Sequence, residues 1–107
     1  MFYNCTALTS TPSCLPASIL YENCYSLMFC NCTALTSVPM NLLSAADTLA
    51  YGCYCEMFES CESLITPPNL PATGMADWCY EMMFMDCYSL TAAPALPATI
   101  LAEGCYS

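Results

Sequence analysis

Cysteine has the widest chemical repertoire of the residue types in this chain, and two pairs of cysteines are close enough in sequence to act together. One residue separates Cys30 from Cys32, and one residue separates Cys53 from Cys55. Soft thiolates in such pairs could hold Cu(I) or zinc. A zinc site needs four converging ligands, however, and one cysteine of each pair also belongs to a regular series that is expected to face a core. The spacing therefore leaves a thiolate metal binder as one hypothesis and assigns no metal ligand and no cofactor.

The rest of the composition excludes most catalytic chemistry and several classes of partner. The chain has 107 residues, nine acids, no Lys, Arg or His, and a formal net charge of -9. Ser/His and Cys/His dyads and lysine Schiff bases cannot form, and no spacing of the acids suggests an acid–base pair. We therefore predict no enzymatic activity and no catalytic residue. The negative charge repels phosphates, which excludes nucleic acid, and no apolar run approaches the ~20 residues of a membrane-spanning helix.

The cysteines belong to a sequence repeat that must position them. Alignment on four Met-Phe pairs divides the single predicted domain into units 1–27, 28–56, 57–82 and 83–107. The distance from the cysteine of a Cys-Tyr pair to the aligned proline is 15 positions in three cases: Cys24 to Pro39, Cys53 to Pro68 and Cys79 to Pro94. The interval from proline to the next such cysteine varies from 11 to 14, and it is longest between Pro39 and Cys53. A period of this size is typical of stacked repeats, and we expect the variable part to contain a surface loop.

Spacing within a unit predicts its secondary structure. Cys24, Met28, Cys32 and Leu35 follow one another at intervals of four, four and three residues, as on one face of an α-helix. A Leu-Thr-x-x-Pro stretch follows and indicates a short strand that ends at proline. A unit of about 26 residues cannot bury its own apolar face, but stacked units can. We therefore predict a leucine-rich-repeat-like solenoid of four coils, each with a short helix and a short β-strand.

Equivalent residues of stacked units are predicted to form continuous core ladders. The ladders consist of Phe2, Phe29, Phe58 and Phe84; of Leu8, Leu35, Leu64 and Leu90; and of Cys5, Cys32, Cys61 and Cys87. A free cysteine at such a position acts as a small buried hydrophobe, so the regular cysteines need no disulfides. Cys14, Cys30 and Cys55 lie outside the regular series, and their redox state stays open.

The pattern Met-Phe-x-x-Cys-x-x-Leu-Thr-x-x-Pro-x-Leu-Pro-Ala-Thr resembles the BspA-like, or Treponema-type, leucine-rich repeat in a variant rich in Cys, Tyr and Met. The resemblance extends over essentially the whole chain. It implies a leucine-rich-repeat fold, an extracellular or cell-surface location, and adhesion or protein–protein binding without enzymatic activity. The units are longer than the usual repeat of the family and lack basic residues. No binding residue can be transferred, because the motif marks core positions.

The remaining surface features leave three functional hypotheses. The acids lie in or beside the expected helices, whereas the strand positions form an uncharged, hydroxyl-rich candidate interaction face for protein or glycan, which comprises Thr9, Thr11, Thr36, Thr66 and Thr91. The first hypothesis is a non-enzymatic extracellular structural or adhesive module. The second is a filament subunit, because neither terminus carries a polar cap and copies could stack head to tail. The third is the thiolate metal binder.

Overall fold

Residues 3–91 are described by the structure, which is a computed structural model. They contain no α-helix, and their strand pairing is limited to two isolated parallel bridges, Ser37 with Thr66 and Thr48 with Gly74. The molecule is a compact globule of 35 × 24 × 19 Å. The predicted solenoid with a helix and a strand in every coil is therefore wrong. In place of the helices, the chain forms three turn segments, residues 22–31, 51–60 and 77–86.

Left-handed residues at every fourth position explain why the turn segments are not helical. In the first segment Asn23, Leu27 and Asn31 have φ values of 53°, 59° and 60°. The same register recurs in the other two segments, at Gly52, Glu56 and Ser60 and at Trp78, Met82 and Asp86. A right-handed helix cannot continue through a residue with positive φ, because its backbone direction reverses there. Each segment is consequently a ribbon of successive four-residue turns.

The backbone amides of a turn segment alternate between two kinds of hydrogen bond. The Cys55 N–H donates to the Gly52 carbonyl within the same segment at 3.1 Å. The next amide, of Glu56, donates to the Glu81 carbonyl of the following segment at 2.8 Å. An α-helix would use all its interior amides internally. Here half of them join neighbouring segments, so the three segments lie side by side.

A four-residue period also determines which side chains enter the core. In the second segment, the two residues after Gly52 and the two after Glu56 point inward: Cys53, Tyr54, Met57 and Phe58 are each at most 2% exposed. Phe58 stacks on Phe29 and on Phe84, with ring centroids 5.5 and 5.7 Å apart. Because four is close to the 3.6-residue period of a helix, this spacing predicts a helical face where the structure has a ribbon of turns.

The segments after the turns complete the core. Leu35 and Leu64 are fully buried, whereas Leu8 and Leu90 are partly buried at its margins. Phe2 lies outside the described residues. Gly74 bonds to both neighbours of Thr48, with the Leu49 N–H donating to the Gly74 carbonyl at 2.7 Å. A Cβ atom on Gly74 would approach the Thr48 Cα to 3.1 Å, so this close backbone contact favours glycine.

Candidate functional site

The regular cysteines form a row of thiols that bond to backbone across the turn segments. The Cys61 thiol donates to the Phe29 carbonyl at 3.1 Å, and the Cys87 thiol donates to the Phe58 carbonyl at 3.0 Å. Burial is the main cause that raises the pKa of Cys61 to about 12 and the pKa of Cys87 to about 11. A thiol with such a pKa is neutral and unreactive near pH 7. These groups therefore stabilise the fold and offer no nucleophile.

Cys30, Cys32, Cys53 and Cys55, the two closely spaced pairs, do not converge on a metal site. Among residues 3–91, no group of three Cys, Asp or Glu side chains is placed to hold a metal ion. The ten cysteines in that range, including Cys14, are in the thiol form and not in disulfides. The Cys55 thiol donates to the carboxylate of Glu81 at 3.6 Å, and burial followed by repulsion from Glu56 and Glu81 raises the pKa of Cys55 to about 12.

Carboxylates follow the outer side of the second and third turn segments. A hydrogen bond with Glu56, burial, and the negative charges of Glu56 and Asp86 all raise the pKa of Glu59. The chain contains no cationic side chain that could neutralise this row. The result is a strongly acidic surface, which repels other anions.

Part of the predicted threonine face is brought together by the fold. The Ile65 N–H donates to the Thr36 carbonyl at 2.9 Å, and the Thr91 N–H donates to the Ile65 carbonyl at 3.2 Å. Thr36, Thr66 and Thr91 are all exposed, as is Ile65 at 47%. We call these four residues the threonine face. Thr9 is exposed and Thr11 is half-buried, but no backbone hydrogen bond among the described residues joins either one to the row.

The structure also contains a groove that the sequence did not predict. It has a volume of about 450 Å³ and lies between residues 18–20 on one side and residues 45–49 on the other. Asp47 and Thr48 on its second wall are exposed, whereas Leu49 is buried. The signal in the sequence is the long interval between Pro39 and Cys53, which indicates a loop but does not reveal a groove.

Comparison with known proteins identifies no relative: no family model, curated protein sequence or solved structure matches this chain. The resemblance to BspA-like repeats therefore stays a prediction. Within residues 3–91, no helix is long and apolar enough to cross a membrane.

Proposed function

We propose that the chain is a non-catalytic structural or adhesive module that acts by binding proteins or glycans at a cell surface. The observation that carries this proposal is the threonine face, an exposed and uncharged row on a molecule of net charge -9. No charged residue occurs from 23 to 46 or from 63 to 76, the stretches that include Thr36, Ile65 and Thr66. A partner can cover such a surface without removing charged groups from water, which would be costly.

Three hydrogen-bonded backbones support the threonine face from below. Leu35 and Leu64 are fully buried next to Thr36 and Ile65, and they fix the backbone that presents the exposed side chains. The exposed Ile65 supplies apolar contact area, and the threonine hydroxyls supply donors and acceptors. Surfaces of this mixed character, without charge at the centre, are typical of protein interfaces.

The thiol chemistry is compatible with the oxidising conditions outside a cell. Burial raises the pKa of Cys53 to about 12, as it does for Cys61. Disulfide formation and exchange require a thiolate, so buried thiols of this kind persist in reduced form. Burial thus makes these inner thiols compatible with an extracellular location, whereas the exposed Cys24 is open to oxidation there.

Substitution of one residue at the centre of the threonine face tests the proposal. Thr66→Arg adds a charge to this surface, and Thr73→Arg is the matched control at an exposed threonine outside it. The wild-type chain is first screened against arrays of glycans and extracellular proteins. We expect binding to an array component that Thr66→Arg abolishes and Thr73→Arg retains. Equal effects of the two variants, or no binding to any component, would contradict the proposal.

Self-assembly is the second candidate, and open backbone acceptors favour it. The carbonyls of Cys53 and Cys55 each accept an N–H from the preceding turn segment, at 3.0 Å in both cases. The equivalent carbonyls of Cys24 and Ser26 receive no backbone N–H from any described residue. A matching partner must place donors at alternate residues of a four-residue turn ribbon, and a second copy of this chain has that geometry.

Electron microscopy and sedimentation velocity over a range of protein and salt concentrations test self-assembly. Fibres or concentration-dependent oligomers would support it, and they should grow with added salt because salt screens the repulsion between highly charged copies. Discrete monomers under all conditions would exclude this candidate and leave the threonine-face proposal intact.

A further inference from the structure

We propose that the groove between residues 18–20 and 45–49 binds an extended, positively charged peptide segment of a partner protein. This inference adds a second surface and a ligand class to the proposed binding function, and it does not depend on the threonine face. It rests on three features of the groove: an open stretch between two hydrogen-bonded ends, an unpaired backbone edge, and an acidic side chain beside apolar ones.

The groove is open because two layers of the chain are joined only at its ends. At one end the Leu15 N–H donates to the Leu42 carbonyl at 2.9 Å, and at the other the Asn23 N–H donates to the Tyr51 carbonyl at 2.9 Å. Between these bonds, no backbone hydrogen bond of the described chain joins residues 16–22 to residues 43–50. The two layers therefore lack backbone pairing over this stretch, and the space between them is the groove.

Thr48 supplies the backbone edge. Gly74 donates its N–H to the Asp47 carbonyl at 3.0 Å and accepts the Leu49 N–H, which is the pattern of a parallel bridge centred on Thr48. In such a bridge the N–H and C=O of the central residue point away from the bridging partner. Gly74 does not line the groove, whereas Thr48 does, so these two groups point toward the groove. No backbone partner for either group occurs among the described residues.

An exposed strand edge of this kind pairs with an extended segment of another chain. A peptide that enters the groove could donate an N–H to the Thr48 carbonyl and accept the Thr48 N–H, as Gly74 does with the neighbouring residues on the other side. The side chains of the groove then select among peptides. Ile19, 73% exposed, and Leu20 and Leu49 offer apolar contact.

Asp47 determines the charge of the ligand. Its carboxylate is exposed in the groove wall, and the chain has no Lys, Arg or His that could pair with it. The net charge of -9 attracts cations and repels phosphates and acidic peptides. A Lys or Arg flanked by β-branched residues in an extended segment satisfies the carboxylate, the backbone edge and the apolar wall together.

Titration of the full chain with the peptide acetyl-Thr-Val-Lys-Val-Thr-amide tests this inference. Binding is followed by amide chemical shifts and by calorimetry under reducing conditions. Two control peptides carry Glu in place of Lys, or a methylated backbone nitrogen at both valines. We expect binding of the lysine peptide only, with the largest shifts at residues 18–20 and 45–49. Saturable binding of the glutamate peptide, equal binding of the methylated peptide, or no binding at millimolar concentration would overturn the proposal.

Two charge variants separate a local contact from general electrostatic attraction. Asp47→Asn should weaken binding of the lysine peptide about two- to fivefold, the range expected for an exposed ion pair. Glu62→Gln removes the same charge at an exposed site outside the groove and should leave the affinity unchanged. Equal weakening by both variants would refute a specific role for Asp47. Concentration-dependent shifts at the groove without peptide would identify a second copy as the occupant and would also refute the proposal. A negative result here leaves the threonine-face test unaffected, because the two surfaces share no residue.

Discussion

Met82 and Met85 form a matched pair that tests the left-handed backbone of the turn segments. Their side chains are exposed to similar extents, 41% and 46%, and both lie in the segment 77–86. Met82 has a φ of 51°, whereas Met85 is not among the residues with positive φ. A right-handed helix would place both residues in one conformation. Substitution by glycine therefore distinguishes the observed backbone from the helix that the sequence predicted.

The expected difference in stability follows from the conformational preferences of glycine. An L-residue in the left-handed region costs roughly 1–2 kcal/mol, and Met82→Gly removes this cost. Glycine at either position also costs about 0.5–1 kcal/mol through the greater freedom of the unfolded chain. Both variants lose a methionine side chain of similar exposure. These shared costs cancel, so Met82→Gly should be more stable than Met85→Gly by about 1–2 kcal/mol.

Urea unfolding of the two variants and the wild type gives the required free energies of unfolding. The transition can be followed by the fluorescence of Trp78 in the presence of a reducing agent, and equal m-values would show that the unfolded states are comparable. In a helix, both substitutions would destabilise the protein by about 1 kcal/mol. Equal destabilisation within the error of the extrapolation, or a less stable Met82→Gly, would refute the left-handed assignment.

Three further predictions concern the stacked rings and the cysteines. Phe58→Leu should lower the free energy of unfolding by about 0.5–1.5 kcal/mol more than Phe84→Leu, because Phe58 stacks on two described rings and Phe84 on one; equal losses in urea unfolding would argue against stacking. A thiol reagent should label the exposed Cys24 within the native state and Cys61 only on unfolding. Since burial raises the pKa of Cys61 from 9.0 to about 12, its contribution to stability should be complete below pH 9 and lost as the pH rises toward about 12. A free energy of unfolding that stays constant as the pH rises from 9 toward about 12 would contradict that assignment.

The period of the chain can be read from its sequence, but the backbone that produces the period cannot. Alignment on Met-Phe places Phe29, Phe58 and Phe84 in equivalent positions, and the structure stacks these rings directly on one another. The helix prediction failed because a four-residue turn ribbon and an α-helix give nearly the same spacing of inward residues. Only local backbone conformation separates the two, and spacing does not report it.

Only some of the left-handed positions can be recognised from the residue types that occupy them. Asn23 and Gly52 are residue types that adopt positive φ readily, and they were available as signals. Leu27, Glu56 and Met82 have no such preference, yet they have φ values of 59°, 53° and 51°. The hydrogen bonds to neighbouring segments and the buried pairs that follow these residues impose the conformation. Tertiary interactions thus override local propensity, and a single sequence carries no record of this.

The groove is a second feature that could not be predicted from the sequence. The long interval between Pro39 and Cys53 predicted a surface loop between these two residues, but a difference in length does not say whether the neighbouring layer follows the loop. The backbone bond from Asn23 to Tyr51 restores contact between the layers at 2.9 Å, and the residues before it stay apart. The open space is a property of two layers together and has no signature in either alone.

Stacking of identical positions explains where function can and cannot lie in this molecule. The aromatic side chains of the core contact their own equivalents, as in the ring stack of Tyr25, Tyr54 and Tyr80 with centroids 6.0 and 5.7 Å apart. Such positions must stay the same in every unit and cannot specify a ligand. Specificity must come from positions that differ between units. The groove has this character because it exists where one unit is longer than its neighbour, and the unpaired Asp47 gives it a charge preference that the repeated surface does not have.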